Sequence, residues 1–518
     1  MSVSREITFT RLLDEKLTEL ERQKESSPRD SHLLSQVAHA YNLRDMDQEA
    51  INSARQALKY DPRNDQAWFE LTIATAAVDE EGLVSIEKEC SRLVKENPTV
   101  HWTHRNLALV SYYMEKRAEA EDAALRALEL NPKDYATYMV LGYLYYARGE
   151  YDKGVSYLKE SVKLNPNNPR AYWMMGHCYW EEGKISQAKR YYQKSLECEL
   201  HFIAAWNAIG RLYLNQKNRL THALRCFSRS ISINPRVAET YFTLADYYFG
   251  HKKYYEAIAE YLKLLASEPD PKVKGEAHTQ IGLIFFTNGD YKSSLKHYQL
   301  AITINPAYPL PYYFSGLVYF NQKKFNQAIT FFNRAIKKDP TFPWPYTKLG
   351  CTYLEKEEEE KAAEYFQHAL QLDSREYWAH LGLSDLYRRQ KHYTQQLENC
   401  LKAEAIEPED SDVHNYLGVA YECNQQYNRA VKEYATAMKL DSYNLSAAGN
   451  LGSLSEKMLE QGEESFRDIA ISAWKQYLLI SLDTGKPLED ALTHLQELGV
   501  KEETISLWLK KVEKGEGG

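Results

Sequence analysis

The chain has 518 residues, with 64 Lys and Arg against 72 Asp and Glu and a formal net charge of -8. That balance supplies no global positive field, so non-specific binding of DNA or RNA is not expected. No stretch of 18 apolar residues occurs, so no membrane insertion is expected; the seven cysteines form no C-x-x-C pair, which fits free thiols in a reducing compartment better than a disulfide framework.

Met1 to Pro28 carries charges throughout and lacks the apolar run of a secretory signal. Phe9, Leu12, Leu13, Lys16, Leu17 and Leu20 predict an amphipathic helix that caps the apolar end of the neighbouring helices, with self-association as the alternative. Beyond it one punctuation recurs: Tyr60-Asp61-Pro62, Glu96-Asn97-Pro98, Leu130-Asn131-Pro132, Leu164-Asn165-Pro166, Ile233-Asn234-Pro235, Ile304-Asn305-Pro306 and Lys338-Asp339-Pro340. The first four prolines lie 36, 34 and 34 residues apart. Within the period a second pattern repeats, as in Tyr138, Leu141, Gly142, Tyr145, Gly154, Leu158, Ser161 and Pro166, or Tyr312, Gly316, Tyr319, Ala328, Phe332, Ala335 and Pro340. Apolar residues three and four apart give each of two helices one sticky stripe, the small residues let the helices approach, and proline stops the second. A lone hairpin cannot bury such a stripe, so successive hairpins must stack into one continuous core.

This pattern resembles the tetratricopeptide repeat, W-x2-L-G-x2-Y, then A-x3-F, then P. The resemblance implies an all-α fold, an α-solenoid wound as a right-handed superhelix of about thirteen helix-turn-helix repeats. Repeats are placed at 31–64, 65–100, 101–134, 135–168, 169–202, 203–237, 238–271, 275–308, 309–342, 343–376, 377–410 and 411–444, with a degenerate thirteenth at 445–484. Residues 1–30 then form the amino-terminal cap, 31–271 repeats one to seven, 272–484 repeats eight to thirteen, and 485–518 the carboxyl-terminal cap with a glycine-rich tail. Leu200, Ser374 and Ser442 hold the proline slot in phase. Asp79-Glu80-Glu81-Gly82 is expected to lengthen the hairpin turn of the second repeat, and Gln461 to Glu464 that of the thirteenth. Between Glu268 and Gly275 the interval widens to 37 residues, read as a long inter-repeat loop with a hinge between half-arrays as the alternative. The acidic run Glu355 to Lys361 falls at a hairpin tip. Pro487 to Leu498 and Glu502 to Val512 predict two short helices divided by Gly499, with Thr504, Trp508, Leu509 and Val512 on one side of the second.

No phosphate-binding loop, G-x-G-x-x-G, H-E-x-x-H or G-x-S-x-G occurs, and no segment outside the repeats is long enough for a catalytic domain. The chain is therefore not expected to be an enzyme, and no cofactor is expected. His101 with His104, and His177 with Cys178, lack the four-ligand spacing of structural zinc, so no metal site is expected either.

In the repeat family the fifth, ninth and twelfth positions of each first helix line the concave groove. On this chain those positions give a largely apolar stripe, represented by Tyr112, Tyr143, Tyr146, Trp173, His177, Trp180, Phe249, Phe286, Tyr313 and Phe320, with Arg211 and Asp246 as isolated charges. The expected function is a non-catalytic, cytoplasmic scaffold or adaptor that binds a protein or peptide segment in this groove. The alternatives are a structural subunit that self-associates, including as a homodimer, and the recognition subunit of a separate enzyme. The Lys and Asn set with which repeat adaptors grip acidic chaperone tails is not reproduced; Arg105, Asn106, Asn207 and Arg211 come nearest but in other slots or phase. The asparagine ladder of O-linked N-acetylglucosamine transferase is matched only at Asn106 and Asn450.

Overall fold

A computed structural model describes residues 16–513, with side chains described as far as Lys510. Phe9, Leu12, Leu13 and the Val512 side chain lie outside the described residues. From Ser31 to Asp483 the helices pair as thirteen hairpins, beginning with Ser31–Asn42 and Asp47–Tyr60 and ending with Leu445–Glu460 and Arg467–Asp483. Together with the carboxyl-terminal helices Glu489–Glu497 and Glu502–Glu513 they make an all-α solenoid. No helix among the described residues is long and apolar enough to cross a membrane.

The recurring Asx-Pro ending is a hydrogen-bonded turn. The second helix stops, and the Asx side chain accepts the amide two residues on: Asp61 Oδ1 from Arg63 N at 3.0 Å, Asn131 from Lys133 at 3.1 Å, Asn234 from Arg236 at 2.9 Å. Proline fits between them because its missing N–H is not needed. Asp373 and Asp441 make the same turn, at 2.8 and 2.9 Å, with serine in the proline slot, so the phase survives the substitution.

The ring at the fourth position of the next first helix closes this turn by donating to the carbonyl six residues back. Trp68 Nε1 donates to Pro62 at 3.0 Å, Tyr241 to Pro235 at 3.3 Å, Tyr312 to Pro306 at 3.2 Å and Tyr346 to Pro340 at 3.1 Å. His104 and His414 take the same role through Nε2, at 3.0 and 2.9 Å. Since a carbonyl only accepts, that nitrogen carries hydrogen.

Inside each hairpin a glycine of the first helix receives a ring of the second. A Cβ at Gly176 would stand 2.4 Å from Tyr192, and one at Gly316 2.5 Å from Phe332, closer than any real contact. Tyr192, Tyr298, Phe332, Phe366 and Tyr434 are fully buried there. Within each unit first helices of neighbouring repeats touch, as Asp65–Val78 touches His101–Tyr113 and Pro343–Glu355 touches Tyr377–Arg389, while second helices stand apart, which puts the first helices on the inner side of that unit.

Two local expectations are corrected. The second hairpin is not lengthened: Asp65–Val78 and Glu80–Glu96 are separated by Asp79 alone. Asp79 caps the second of these helices by accepting from Gly82 N at 2.8 Å, and Glu80 and Glu81 suit the positive end of the helix dipole, so the acidic residues became helix instead of loop. The widened interval before repeat eight is likewise helical from Pro271, since the first helix of that repeat runs Pro271–Thr287. Asp270 starts it by accepting from Val273 N at 3.1 Å, and Pro271 sits where its missing N–H costs nothing.

The chain divides into two compact units, the first ending at Ala277 and the second beginning at His278.

Candidate partner-binding faces

In the first unit the predicted stripe is largely engaged by the unit itself. Tyr143 is 4% exposed, with the half-buried ring of Tyr112 at 5.9 Å. Burial raises its hydroxyl far above the ordinary tyrosine range. His177 lies among Trp173 at 4.5 Å, Tyr192 at 5.4 Å and Tyr146 at 6.1 Å; burial, aided by Arg211, pulls its pKa down to about 4. Trp173 also meets Phe202 at 5.9 Å, and Trp180 packs on the apolar cluster around Leu43, Phe202 and Ile209. Arg211 is not isolated, because Glu239 of the next repeat pairs with it at 2.5 Å. Asp246 is exposed and accepts from Tyr261 at 3.3 Å.

The reason for this engagement is a set of contacts between residues far apart in sequence. The first repeat lies against repeats five and six. Leu43 is buried with Phe202 and Tyr192, its carbonyl accepts from Ile203 N at 3.1 Å, and Asn234 Nδ2 donates to the carbonyls of Arg44 and Asp45 at 3.2 and 3.0 Å. Lys16 reaches Glu199 at 3.1 Å. Behind them Arg170 grips the Glu70 carboxylate through both nitrogens, at 3.1 and 2.9 Å, across 100 residues of sequence. Burial alone would raise the Glu70 carboxyl, yet Arg170 and His39, the latter at 2.7 Å, hold it well below the carboxylate range. A polar cavity of about 270 Å³ adjoins this pair; there Arg105 lies over the Phe69 ring and faces Asp65 at 3.4 Å and Asp134 at 3.5 Å.

The twelfth-position rings share a further duty in both units. Four of them pack across their own hairpin turns on the first residue of the second helix: Tyr146 on Tyr151 at 5.7 Å, Phe249 on Tyr254 at 5.8 Å, Phe286 on Tyr291 at 5.9 Å and Phe320 on Phe325 at 5.9 Å. These rings are half-buried, so one flank is spent on the turn. Tyr146 also donates to Glu181 at 3.4 Å, and burial with that carboxylate pushes its hydroxyl up to about 12.

In the second unit an aromatic cluster reaches the surface. Tyr313 is buried among Phe342 at 5.5 Å, Trp344 at 5.9 Å and Phe332 at 6.0 Å, and Trp344 remains 45% exposed. One repeat on, Trp378 holds the same second position; Lys348 Nζ stands 5.3 Å from its ring centroid. Glu376 is 6% exposed close by, and burial, with Asp373 adding, pushes its carboxyl up to about 7. Position-by-position reading of the fifth, ninth and twelfth slots passed over both tryptophans. The signal available was a Trp in one slot of two successive repeats, where hairpin packing does not require one.

Models described as "TPR repeat" match residues 142–183, 282–323 and 316–357, and models described as "Tetratricopeptide repeat" match 169–198, 203–237, 238–271 and 345–376. Similar solved structures include the Cut9-Hcn1 hetero-tetramer of the APC/C, at 14% identity over 80% of this chain and 95% of that chain with a TM-score of 0.38. Yeast Tom70 is similar at 15% identity over 80% of this chain and 99% of that chain, with a TM-score of 0.43.

Proposed function

This chain is a tetratricopeptide repeat protein, and from that membership we propose a non-catalytic scaffold that holds a protein segment against the first helices of its second unit. The observation that carries this reading is Trp344, 45% exposed on a foundation of Tyr313 and Phe342. A large ring held rigidly at the surface binds at low entropic cost, whereas an exposed ring adds little to folding. Trp378, Phe286 and Phe320 extend the face, and the segment it suits presents apolar anchors. The first unit contributes scaffold, its own first repeat having taken the place a partner would use. The cytoplasm fits the seven unpaired cysteines, of which Cys90, Cys178, Cys226 and Cys400 are buried.

A photo-crosslinking residue placed at Trp344, and separately at Tyr146, tests this in the native cell. Adducts with another protein from position 344 and none from 146 are expected, and Trp344→Ala should abolish capture of that protein while the chain stays folded. An adduct only with a second copy of the chain would assign the face to self-association instead.

A further inference from the structure

Among the described residues one junction between repeats brings three potential metal ligands together. Where a second helix meets the following hairpin, three slots come together: the twenty-eighth position of one repeat and the fourth and twenty-third of the next. At four junctions an aliphatic residue meets two rings, as in Leu128, Tyr138 and Tyr157, in Ile302, Tyr312 and Phe331, and in Ile336, Tyr346 and Tyr365. Between repeats eleven and twelve the same slots hold Glu404, His414 and Glu433. Their ligand atoms lie within 4.8 Å of one another, with His414 buried and the two glutamates half-buried. We propose that these three side chains bind a divalent transition-metal cation that staples repeat eleven to repeat twelve.

The tautomer of His414 makes the case. Its Nε2 is committed as a donor to the Pro408 carbonyl at 2.9 Å, the same bond that Trp68, Tyr241, Tyr312 and Tyr346 make in their repeats. Nδ1 is therefore the atom left to face Glu433, whose Oε2 stands 2.8 Å away. A lone pair set against a carboxylate oxygen at that distance is repulsive unless a positive centre lies between them, either a second proton or a metal ion. A metal-binding histidine has this arrangement, one nitrogen on the metal and the other N–H donated to a carbonyl. Glu404 supplies the third ligand from a different helix, Tyr393–Ile406, while His414 and Glu433 come from Ser411–Cys423 and Tyr427–Leu440. Ligand atoms about 2.0–2.2 Å from zinc stand roughly 3–3.6 Å apart, so Glu433 would open slightly from Nδ1 to admit the ion while Glu404 closes by up to about an ångström. Ligands ten and nineteen residues from His414 match no sequence motif, which is why spacing alone gave no metal site.

The test is zinc titration by calorimetry on the full chain, beside a variant carrying the residues of another junction, Glu404→Ile, His414→Tyr and Glu433→Phe. The tyrosine keeps the bond to Pro408, so this variant folds, which circular dichroism checks. The native chain should bind one zinc more per chain than the variant, and Glu404→Gln alone should weaken that site at least tenfold. Added zinc should raise the melting temperature of the native chain and leave that of the triple variant unmoved. Equal stoichiometry in the two chains overturns the proposal. An extra zinc that ignores Glu404→Gln also overturns it, reducing the trio to a protonated His414–Glu433 pair with adventitious binding elsewhere.

Discussion

The two units are written in the same repeat yet spend it differently. In the first, repeats one and two lie on repeats five and six, and a buried arginine–carboxylate pair joins Glu70 to Arg170. In the second, an aromatic cluster founded on the buried Tyr313 reaches the surface at Trp344. A repeat fixes how one hairpin meets the next and leaves open what fills the inside of the array. Non-repeat residues decide that: charges at Glu70 and Arg170 close one unit, and tryptophans at 344 and 378 open the other.

The largest effect expected comes from breaking the closure. Arg170→Met leaves the Glu70 carboxylate, 2% exposed, with only His39 and Asn42 beside it, and loss of one member of a buried pair costs about 3–5 kcal/mol. Hydrogen exchange should rise in peptides of residues 16–277 and change little in peptides of 278–513. Adding Glu70→Met removes the stranded charge and should recover most of the loss. Equal deprotection of both groups of peptides would show that the closure does not belong to the first unit.

The fold was legible because its determinants are local. The Asx turn, the proline after it and the ring six residues beyond lie within one short stretch, so periodicity exposes them. Misreadings arose where a local signal had two solutions. Asp79-Glu80-Glu81-Gly82 looks like a loop by composition and is equally a capped helix start. The closure was not legible, because Glu70 and Arg170 are 100 residues apart and each is an ordinary charged residue until folding places them together. The candidate face was half legible: Tyr313 and Phe320 stand in slots that periodicity marks, but Trp344 sits in a slot outside the fifth, ninth and twelfth.

Acidity should act in opposite directions on a buried group of each unit. His177 holds its proton only below about 4 when folded, against 6.5 in the unfolded chain, so its contribution is full above pH 6.5 and lost as pH falls toward 4. Glu70, held low, adds to that loss at more acid pH. Glu376 behaves oppositely: its carboxyl titrates near 7 when folded against 4.5 unfolded, so stability present below pH 4.5 is lost as pH rises through 7. Glu376→Gln should therefore stabilise the second unit by ~2 kcal/mol at pH 8 and leave it unchanged at pH 4, as read by hydrogen exchange in peptides of 278–513. His177→Phe should lessen the acid sensitivity of the first unit alone.

The smallest effect asks whether the difference lies in the repeat or in what was added to it. Tyr241 in the first unit and Tyr346 in the second make the same bond to the proline carbonyl six residues back, at 3.3 and 3.1 Å, and are 5% and 9% exposed. Replacing either by phenylalanine removes one neutral hydrogen bond and keeps the ring, a loss of about 1 kcal/mol. If the units differ only through their long-range contacts, Tyr241→Phe and Tyr346→Phe should lower local stability equally in chemical denaturation followed by hydrogen exchange. A markedly larger loss at Tyr241 would mean that closure of the first unit strains or strengthens the repeat itself, and the two units would then differ down to the hairpin.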